Sequence, residues 1–126
     1  MEVALKKILI IDDDQMMLNA LTTLLETEDC ATMTSPDGEG GIRLYKEHQP
    51  DAVLLDLRLP EKNGIEVLKE IRRINGRAKV IIITGYPSPE VREEAMGNGA
   101  FYFYEKSKDI SELLHSVQKA LSANPS

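Results

Sequence analysis

The segment Ile8-Leu9-Ile10-Ile11-Asp12-Asp13-Asp14 decides the fold class, because four apolar residues in succession lead directly into three acids. An apolar run of this length, rich in β-branched residues and without polar alternation, is typical of a strand buried on both faces. Two further runs of this kind follow at residues 52–55 and 80–83. Weaker strand candidates lie at residues 31–34 and 101–104. The sequence therefore predicts five strands, of which three lie inside a covered sheet.

Helical patterns separate these strands. Leu18, Leu21 and Leu25 recur at the spacing of one helix face, and Asp14 is a favourable N-cap before them. The triplet Ser88-Pro89-Glu90 has the cap, the proline and the acid that begin a helix. Further helices are predicted around residues 42–45, 65–74, 91–96 and 110–121, with Gly76 and either Gly97 or Gly99 as helix ends.

The order of these elements is a strand followed by a helix, five times over. Such alternation predicts an α/β fold in which right-handed crossovers join parallel strands and helices cover both faces of the sheet. With five strands it favours a flavodoxin-like (βα)5 three-layer sandwich of strand order 2-1-3-4-5. The chain of 126 residues is the size of one domain. We expect residues 1–126 to form it, with a core at about 7–121 and a tail or the start of a linker at 122–126.

Composition excludes several classes of protein. Apolar residues make up 42% and charged residues 29%, as in globular domains, and the net charge of −6 disfavours nucleic acid or an anionic membrane as ligand. Cys30 is the single cysteine, so an intrachain disulfide and a multi-cysteine zinc site are excluded, and a buried thiol is expected. No apolar run approaches the roughly 20 residues of a membrane span, and the first residues do not resemble a signal peptide. We expect a cytoplasmic protein.

Chemically useful side chains follow four of the predicted strands. Since the carboxyl ends of parallel strands meet at one edge of a sheet, these side chains are expected to share one site. They are Asp12 and Asp13 after the first strand, Asp56 at the end of the third, Thr84 and Gly85 after the fourth, and Lys106 after the fifth.

The acids of this edge need a positive partner. Two carboxylates about 4 Å apart repel by about 4 kcal/mol at an effective dielectric near 20, and Asp56 adds a third charge. Protonation, an ammonium group or a divalent cation would offset the repulsion, and all-oxygen ligation suits Mg²⁺ or Mn²⁺. A loop with three acids also disfavours direct binding of free phosphate.

Asp56 has three interpretations from its position alone: a metal ligand, a nucleophile or a structural acid. A carboxylate can attack a phosphoryl donor and form an acyl phosphate. That reaction needs a metal, an ammonium group and a hydrogen-bond donor close to the phosphoryl oxygens. Asp12 with Asp13, Lys106 and Thr84 supply this set.

From about residue 7 to residue 121 the sequence resembles the receiver domain of two-component response regulators. Any one of the matching pieces is weak evidence, and the ordered set in its strand context is strong. The pieces are residues 8–14 quoted above, Asp56-Leu57-Arg58-Leu59-Pro60-Glu61-Lys62-Asn63-Gly64, Ile81-Ile82-Ile83-Thr84-Gly85, Gly99-Ala100 and Lys106.

The resemblance implies a role for each matched residue. Asp56 corresponds to the phosphoryl-accepting aspartate. Mg²⁺, with Mn²⁺ as a substitute, is implied as the cofactor, held directly by Asp13, mainly through water by Asp12, and by Asp56 and the backbone carbonyl of Arg58. Lys106 corresponds to the lysine that contacts the phosphoryl group. The roles implied for the remaining positions are a responding hydroxyl at Thr84, room for the phosphoryl group at Gly85, an aromatic switch at Phe103, tuning of dephosphorylation by Arg58 and Tyr86, and shaping of the loop by Pro60 and Gly64.

Two positions depart from the family pattern. Ser107 stands where the family usually has a proline with a cis bond, and a non-proline cis bond costs about 2.5–4 kcal/mol. Either that cost is tolerated or the bond is trans, in which case Lys106 is aimed differently. Phe103 stands at the switch position without a hydroxyl group to hydrogen-bond.

The resemblance implies a phosphorelay switch and not an enzyme acting on other molecules: the domain catalyses only its own phosphorylation and dephosphorylation. The implied partners are a sensor histidine kinase or histidine phosphotransfer protein, and a downstream effector or output domain. A phosphorylation-dependent dimer is compatible with it, whereas direct contact with nucleic acid or membrane is not expected. Two alternatives stay open: a receiver-like scaffold that binds partners without phosphorylation, and a small aspartate-nucleophile phosphatase using Asp12-Asp13-Asp14.

Overall fold

The computed structural model describes residues 5–122, in which strands and helices alternate along the chain. The predicted order of five strand–helix pairs is confirmed. In chain order the elements are β1 Lys6–Ile11, α1 Gln15–Glu26, β2 Cys30–Ser35, α2 Gly38–His48, β3 Ala52–Asp56, α3 Gly64–Ile74, β4 Val80–Thr84, α4 Pro89–Gly97, β5 Tyr102–Glu105 and α5 Ile110–Ser122.

The strands form one parallel sheet in the order β2-β1-β3-β4-β5, so the predicted topology is confirmed. The register aligns the carboxyl ends of the strands: Ile11 lies opposite Leu55, and Asp56 lies opposite Ile83. The chain reverses its direction of winding between β1 and β3, where this fold class places its sites. The sheet therefore sets the ends of β1, β3 and β4 side by side.

Alternate residues of each central strand face two separate cores. In β1, Leu9 and Ile11 face the apolar side chains of α2, α3 and α4, whereas Ile8 and Ile10 face those of α1 and α5. All four are fully buried, and burying such a side chain contributes about 1.5–3 kcal/mol. This two-sided burial is the physical reason for the continuous apolar runs in the sequence.

Two predicted helix starts are present. The Asp14 carboxylate accepts hydrogen bonds from the amides of Met16, at 3.0 Å, and Met17, at 3.4 Å, and caps α1. Ser88 accepts from the Val91 amide at 3.1 Å, with Pro89 as the first residue of α4. Both caps satisfy amides that the first helical turn leaves without partners.

Gly99, one of the two glycines predicted to end α4, directly follows the C-cap of that helix, Asn98. Gly99 has a φ of +92°, its amide donates to Met96, and the amide of Ala100 donates to Ala95. This is the Schellman arrangement, in which glycine adopts the left-handed conformation without a steric cost. Gly97 is instead the last residue of the helix.

Gly76 directly follows the C-cap of α3, Asn75, whose amide donates to the Ile71 carbonyl, so α3 ends beside this glycine as predicted. Other predicted boundaries differ from the structure by one or two residues. Strand β5 is Tyr102–Glu105 and not residues 101–104, since its pairing with β4 runs from Tyr102 to Glu105. Ser122, predicted to begin a tail, is the last residue of α5.

The remaining tail prediction, residues 123–126, and residues 1–4 lie outside the described residues. Cys30 is buried, as expected. Across residues 5–122, no helix has both the length and the apolar character needed to cross a membrane.

Candidate metal centre

The side chains that follow four predicted strands meet at one edge of the sheet. Asp56 is the last residue of β3 and Thr84 the last of β4, while Asp12 and Lys106 directly follow β1 and β5. Carboxylate oxygens of Asp12, Asp13 and Asp56 lie within 4.8 Å of one another. The structure therefore gathers three acids and one lysine from three separate parts of the chain.

Lys106 bridges two of the acids. Its Nζ lies 3.2 Å from Oδ2 of Asp12 and 3.2 Å from Oδ2 of Asp56. The bond between Lys106 and Ser107 is trans, and the Lys106 amide donates to the Thr84 carbonyl at 2.7 Å, which continues the β4–β5 pairing by one residue. The trans bond is thus compatible with a lysine aimed at the acids.

Asp12 carries a buried charge that its neighbours compensate only in part. Oδ1 accepts the Asp14 amide at 2.9 Å, but Oδ2, although near Lys106, has no hydrogen-bond partner of good geometry among the described residues. Burial raises the pKa of Asp12, and repulsion from the charge of Asp56 raises it further. The hydrogen bond from the Asp14 amide and the charge of Lys106 act in the opposite direction, but the pKa remains above its ordinary value. For Lys106, burial opposes the charged form, yet attraction to Asp56 and Asp12 raises its pKa above the ordinary value.

These residues fit a hard divalent cation. The donors are all oxygen, two of the three carboxylates are buried, and Oδ2 of Asp12 has no hydrogen-bond partner of good geometry among the described residues. Mg²⁺ and Mn²⁺ prefer such donors and keep several waters, so few protein ligands suffice. The three carboxylates can therefore bind the divalent cation that was expected to offset their mutual repulsion.

Thr84 and Gly85 border this centre. Thr84 is buried, and its Oγ1 accepts the amide of Tyr86 at 3.1 Å. A Cβ built on Gly85 would contact only Cδ of Lys106, at 3.7 Å, among the described residues. The glycine therefore leaves open space next to the lysine side chain.

Arg58 and Tyr86 are in direct contact, which the sequence analysis did not foresee. The Arg58 guanidinium carbon lies 3.7 Å from the centroid of the Tyr86 ring. The Arg58 amide also donates to Oδ1 of Asp56 at 3.2 Å. The pair thus connects the loop after β3 with the loop after β4, beside the acids.

Gly64 permits a close approach of α3 to the end of β3. A Cβ on Gly64 would lie 2.5 Å from Cα of Leu57 and 2.6 Å from the carbonyl oxygen of Asp56. Its amide donates to the Leu57 carbonyl at 3.0 Å. No larger residue fits without moving the backbone beside Asp56. The neighbouring Lys62 could not be assigned a role from the sequence, since nothing in its local pattern separates it from a solvated lysine.

Phe103 lies inside the protein. Its side chain is buried in the core beneath α4, with the Arg92 guanidinium carbon 5.6 Å from the ring centroid. Tyr104 points to the opposite core, and its hydroxyl donates to the Lys108 carbonyl at 2.7 Å. Phe101 and Tyr102 are half-buried on that same side. Successive residues of β5 thus contribute to opposite faces of the sheet.

Comparison with protein families gives a match over most of the chain. Residues 8–118 match the model described as response regulator receiver domain. The chain is 37% identical over 118 residues to regulatory protein AtoC of Escherichia coli K12, a match that covers 94% of this chain and 26% of that protein. It is 33% identical over 116 residues to sporulation initiation phosphotransferase F of Bacillus subtilis, covering 92% of this chain and 94% of that protein.

Solved structures agree with these sequence matches. The complex of CheX with CheY, BeF₃ and Mg²⁺ from Borrelia burgdorferi contains a chain that superposes with a TM-score of 0.88 at 28% identity. The superposition covers 94% of this chain and 90% of that one. Sequence and backbone therefore lead to one family.

Proposed function

Because this chain belongs to the response regulator receiver domain family, we propose that it is a phosphorylation-controlled switch whose acceptor is Asp56. Receiver domains of two-component systems are signalling switches that bind Mg²⁺ at an acidic pocket and interact with histidine kinases and output domains. The observation that carries the proposal is the position of Asp56, whose Oδ2 faces Lys106 at 3.2 Å while its carboxylate joins the acid cluster.

The proposed reaction is a transfer from phosphohistidine, on a sensor histidine kinase or a histidine phosphotransfer protein, to Asp56. A carboxylate oxygen of Asp56 attacks the phosphorus, a P–O bond forms as the P–N bond breaks, and the imidazole nitrogen keeps the electron pair and takes up a proton. Lys106 would stabilise the negative charge on the phosphoryl oxygens. The chain acts on no other substrate in this proposal.

Asp13, Asp56 and the Arg58 carbonyl would hold Mg²⁺ (or Mn²⁺), with Asp12 contributing mainly through water. When bound, the cation supplies neutralisation of charge on the acids and the phosphoryl oxygens. The acids alone repel both each other and the incoming group, which is why the proposed reaction depends on a divalent cation.

The response to phosphorylation would begin at Thr84. Since its Oγ1 already accepts the Tyr86 amide, the hydroxyl hydrogen stays available to donate to a phosphoryl oxygen beside Gly85. Phe103 is already buried, so we propose that the change reaches the surface through repacking of α4 against this ring and not through entry of an exposed ring.

Arg58 and Tyr86 would tune the lifetime of the acyl phosphate. Their stacked side chains connect the loops that follow Asp56 and Thr84, and in this proposal they would cover the gap between those loops. Such a cover would hinder the water that hydrolyses the acyl phosphate. The pair therefore would slow dephosphorylation.

The downstream partner would be an effector protein or an output domain. The chain spans about a quarter of AtoC but nearly all of sporulation initiation phosphotransferase F, so relatives of both organisations exist. Dimerisation on phosphorylation is part of the proposal only as a means of signalling to such a partner.

Incubation with acetyl phosphate and Mg²⁺ tests the acceptor. The intact mass should rise by one phosphoryl group, and neither Asp56→Asn nor unmodified chain with chelator should gain it. Asp51→Asn, an exposed acid at the opposite end of β3, is the matched control and should be phosphorylated normally. Fluoroberyllate, a phosphoryl analogue that is not hydrolysed, is the control for an acyl phosphate too short-lived to detect. If the mass does not rise and fluoroberyllate does not bind either, the scaffold alternative is favoured. Turnover of a simple phosphate ester that survives Asp56→Asn would favour the phosphatase alternative.

Thermal unfolding tests the metal centre separately. Millimolar Mg²⁺ should raise the melting temperature by binding the folded state, and Asp13→Ala should remove that response. A response that survives Asp13→Ala would place the cation elsewhere.

A further inference from the structure

The loop of residues 57–63, here called the acceptor loop, is held at its base by a β-bridge and at its tip by one backbone hydrogen bond within the tip itself. Arg58 and Asn63 form a β-bridge, and the Asn63 side chain caps α3 by accepting the Ile65 amide at 2.8 Å. At the tip, Glu61 adopts a left-handed φ of +66° and the Lys62 amide donates to the Pro60 carbonyl at 2.8 Å. A left-handed non-glycine residue needs support from its surroundings to persist.

Lys62 connects this tip to two helices. Its Nζ lies 2.9 Å from Oε1 of Glu39 in α2 and 3.1 Å from Oε1 of Glu70 in α3. The side chain is only 19% exposed, although it sits on a surface loop. One ammonium group thus joins three separate segments of the chain.

The aliphatic part of the Lys62 side chain, here called its stem, is also packed against neighbouring residues. Its Cδ and Cβ lie 3.3 and 3.4 Å from the position that a Cβ on Gly38 would occupy. A side chain at Gly38 would displace this stem, and Val67 closes the same space at 2.7 Å. The Lys62 side chain therefore packs against Gly38, the first residue of α2, and this contact restricts the rotamers available to the lysine.

We propose, on the basis of the proposed function, that Lys62 is a positioning residue for the metal centre: it holds the acceptor loop so that the Arg58 carbonyl is kept ready as a ligand. Arg58 is separated from Lys62 by three residues, and the β-bridge to Asn63 transmits the position of the tip to it. Loss of the tie would leave Asp13 and Asp56 in place and disorder the third ligand. The effect would be on Mg²⁺ affinity and loop mobility, and not on the fold as a whole.

The test compares Lys62→Met, which keeps the stem and removes the charge, with Lys62→Arg, which keeps the charge. Lys69→Met is the matched control, because Lys69 is exposed on α3 and makes no ion pair within the described part of the chain. Mg²⁺ binding is measured by calorimetry, and amide hydrogen exchange is followed across the acceptor loop without metal. We expect Lys62→Met to weaken Mg²⁺ binding about tenfold, in the range found for residues that orient metal ligands, and to speed exchange in the loop. Lys62→Arg should restore most of both.

Equal Mg²⁺ affinity of Lys62→Met and the unmodified chain would overturn the inference, even if the variant melts earlier, since that result describes a structural role alone. If Lys62→Met does not fold, the double variant Glu39→Gln with Glu70→Gln removes the same ion pairs and must give the same loss of affinity. Absence of Mg²⁺ binding by the unmodified chain would contradict the proposed function and this inference with it. Normal binding there and in Lys62→Met contradicts the inference only.

Discussion

The guanidinium carbon of Arg58 lies 3.7 Å from the ring centroid of Tyr86, although a whole helix, α3, and a whole strand, β4, separate the two residues in the sequence. Each stands two positions after a strand-end residue of the candidate site, Asp56 and Thr84 respectively. Parallel strands β3 and β4 are neighbours in the sheet, so equal offsets from their ends bring the two side chains together. The contact links the acceptor loop to the loop that carries the switch hydroxyl.

We expect Arg58→Ala and Tyr86→Ala each to accelerate hydrolysis of the acyl phosphate, because each removes one of the two stacked side chains that would shield it from water. The double variant should be no faster than the faster single variant. A cation–π contact at an exposed site contributes about 0.5–1 kcal/mol, which corresponds to a coupling of about two- to fivefold in rate. The rate is measured by the loss of phosphoryl mass after removal of donor.

Arg73→Ala is the control for loss of an arginine, since Arg73 is exposed near the other end of α3. Its dephosphorylation rate should equal that of the unmodified chain. Fully multiplicative effects of the two single variants would show that the residues act independently and that the stack itself does not matter.

A second prediction concerns Asp12, whose charge destabilises the metal-free protein. The centre holds three carboxylates against one ammonium, so Asp12→Asn leaves Lys106 paired with Asp56. It removes a buried charge whose Oδ2 has no hydrogen-bond partner among the described residues. Without Mg²⁺ we expect the free energy of unfolding to rise by about 1 kcal/mol, at the low end of the cost of an unsatisfied buried group.

The gain should depend on pH in a defined direction. The folded chain raises the pKa of Asp12, chiefly through burial, so its ionised form opposes folding. The difference between Asp12→Asn and the unmodified chain should be full at a pH above the raised pKa of the folded chain and vanish in acid, below the ordinary pKa. Denaturant unfolding at several pH values measures it. A gain that persists in acid would show that the substitution acts through packing and not through charge.

Gly64→Ala is predicted to disturb the site without touching any of its functional groups. The added methyl group would lie 2.5–2.6 Å from backbone atoms of Leu57 and Asp56, which cannot rotate away as a side chain can. We expect a loss of about 1–3 kcal/mol in stability, the usual cost of overpacking, and slower phosphorylation of Asp56. Urea unfolding and the phosphorylation rate with acetyl phosphate give the two values.

Gly76→Ala provides the comparison, because a Cβ there meets no atom within 4 Å among the described residues. It should leave phosphorylation unchanged and alter stability only slightly, through the entropy of the unfolded chain. If Gly64→Ala behaved like Gly76→Ala, α3 would have to lie further from β3 than the structure places it.

The sheet and the gathering of the acids could be predicted because each rests on local sequence. Continuous apolar runs report burial on both faces, and Asp56 and Thr84 follow from strand ends that one topology brings together. Caps such as Asp14 are equally local, since side chain and amide are two or three residues apart. These features need only the order of elements and the direction of the strands.

The contacts of Lys62, Arg58 and Phe103 could not be predicted in the same way. Lys62 meets Glu39 across 23 residues and two loops, and its partners depend on how α2 and α3 pack. The stack on Tyr86 depends on loop conformations, and the burial of Phe103 depends on which face of β5 lies under α4. A shift of one residue in the pairing register of β5 would reverse that last assignment.

The last prediction concerns the start of α5, where Asp109 should contribute a pH-dependent part of the stability. Its Oδ1 accepts the Ser111 amide at 2.9 Å, and this backbone hydrogen bond lowers the pKa of Asp109 from its ordinary value of 3.8. An acid whose pKa is lower in the folded state stabilises the fold above the unfolded pKa and loses that contribution as the pH falls through the folded pKa. Asp109→Asn keeps a capping oxygen and removes the charge, so it should be less stable than the unmodified chain near neutral pH and equally stable in strong acid. Ser111→Ala keeps the donating amide but removes the hydroxyl, whose hydrogen bond also lowers the pKa of Asp109, so it should retain only part of the pH dependence. A constant difference between Asp109→Asn and the unmodified chain at every pH would show that the hydrogen bond does not favour the carboxylate.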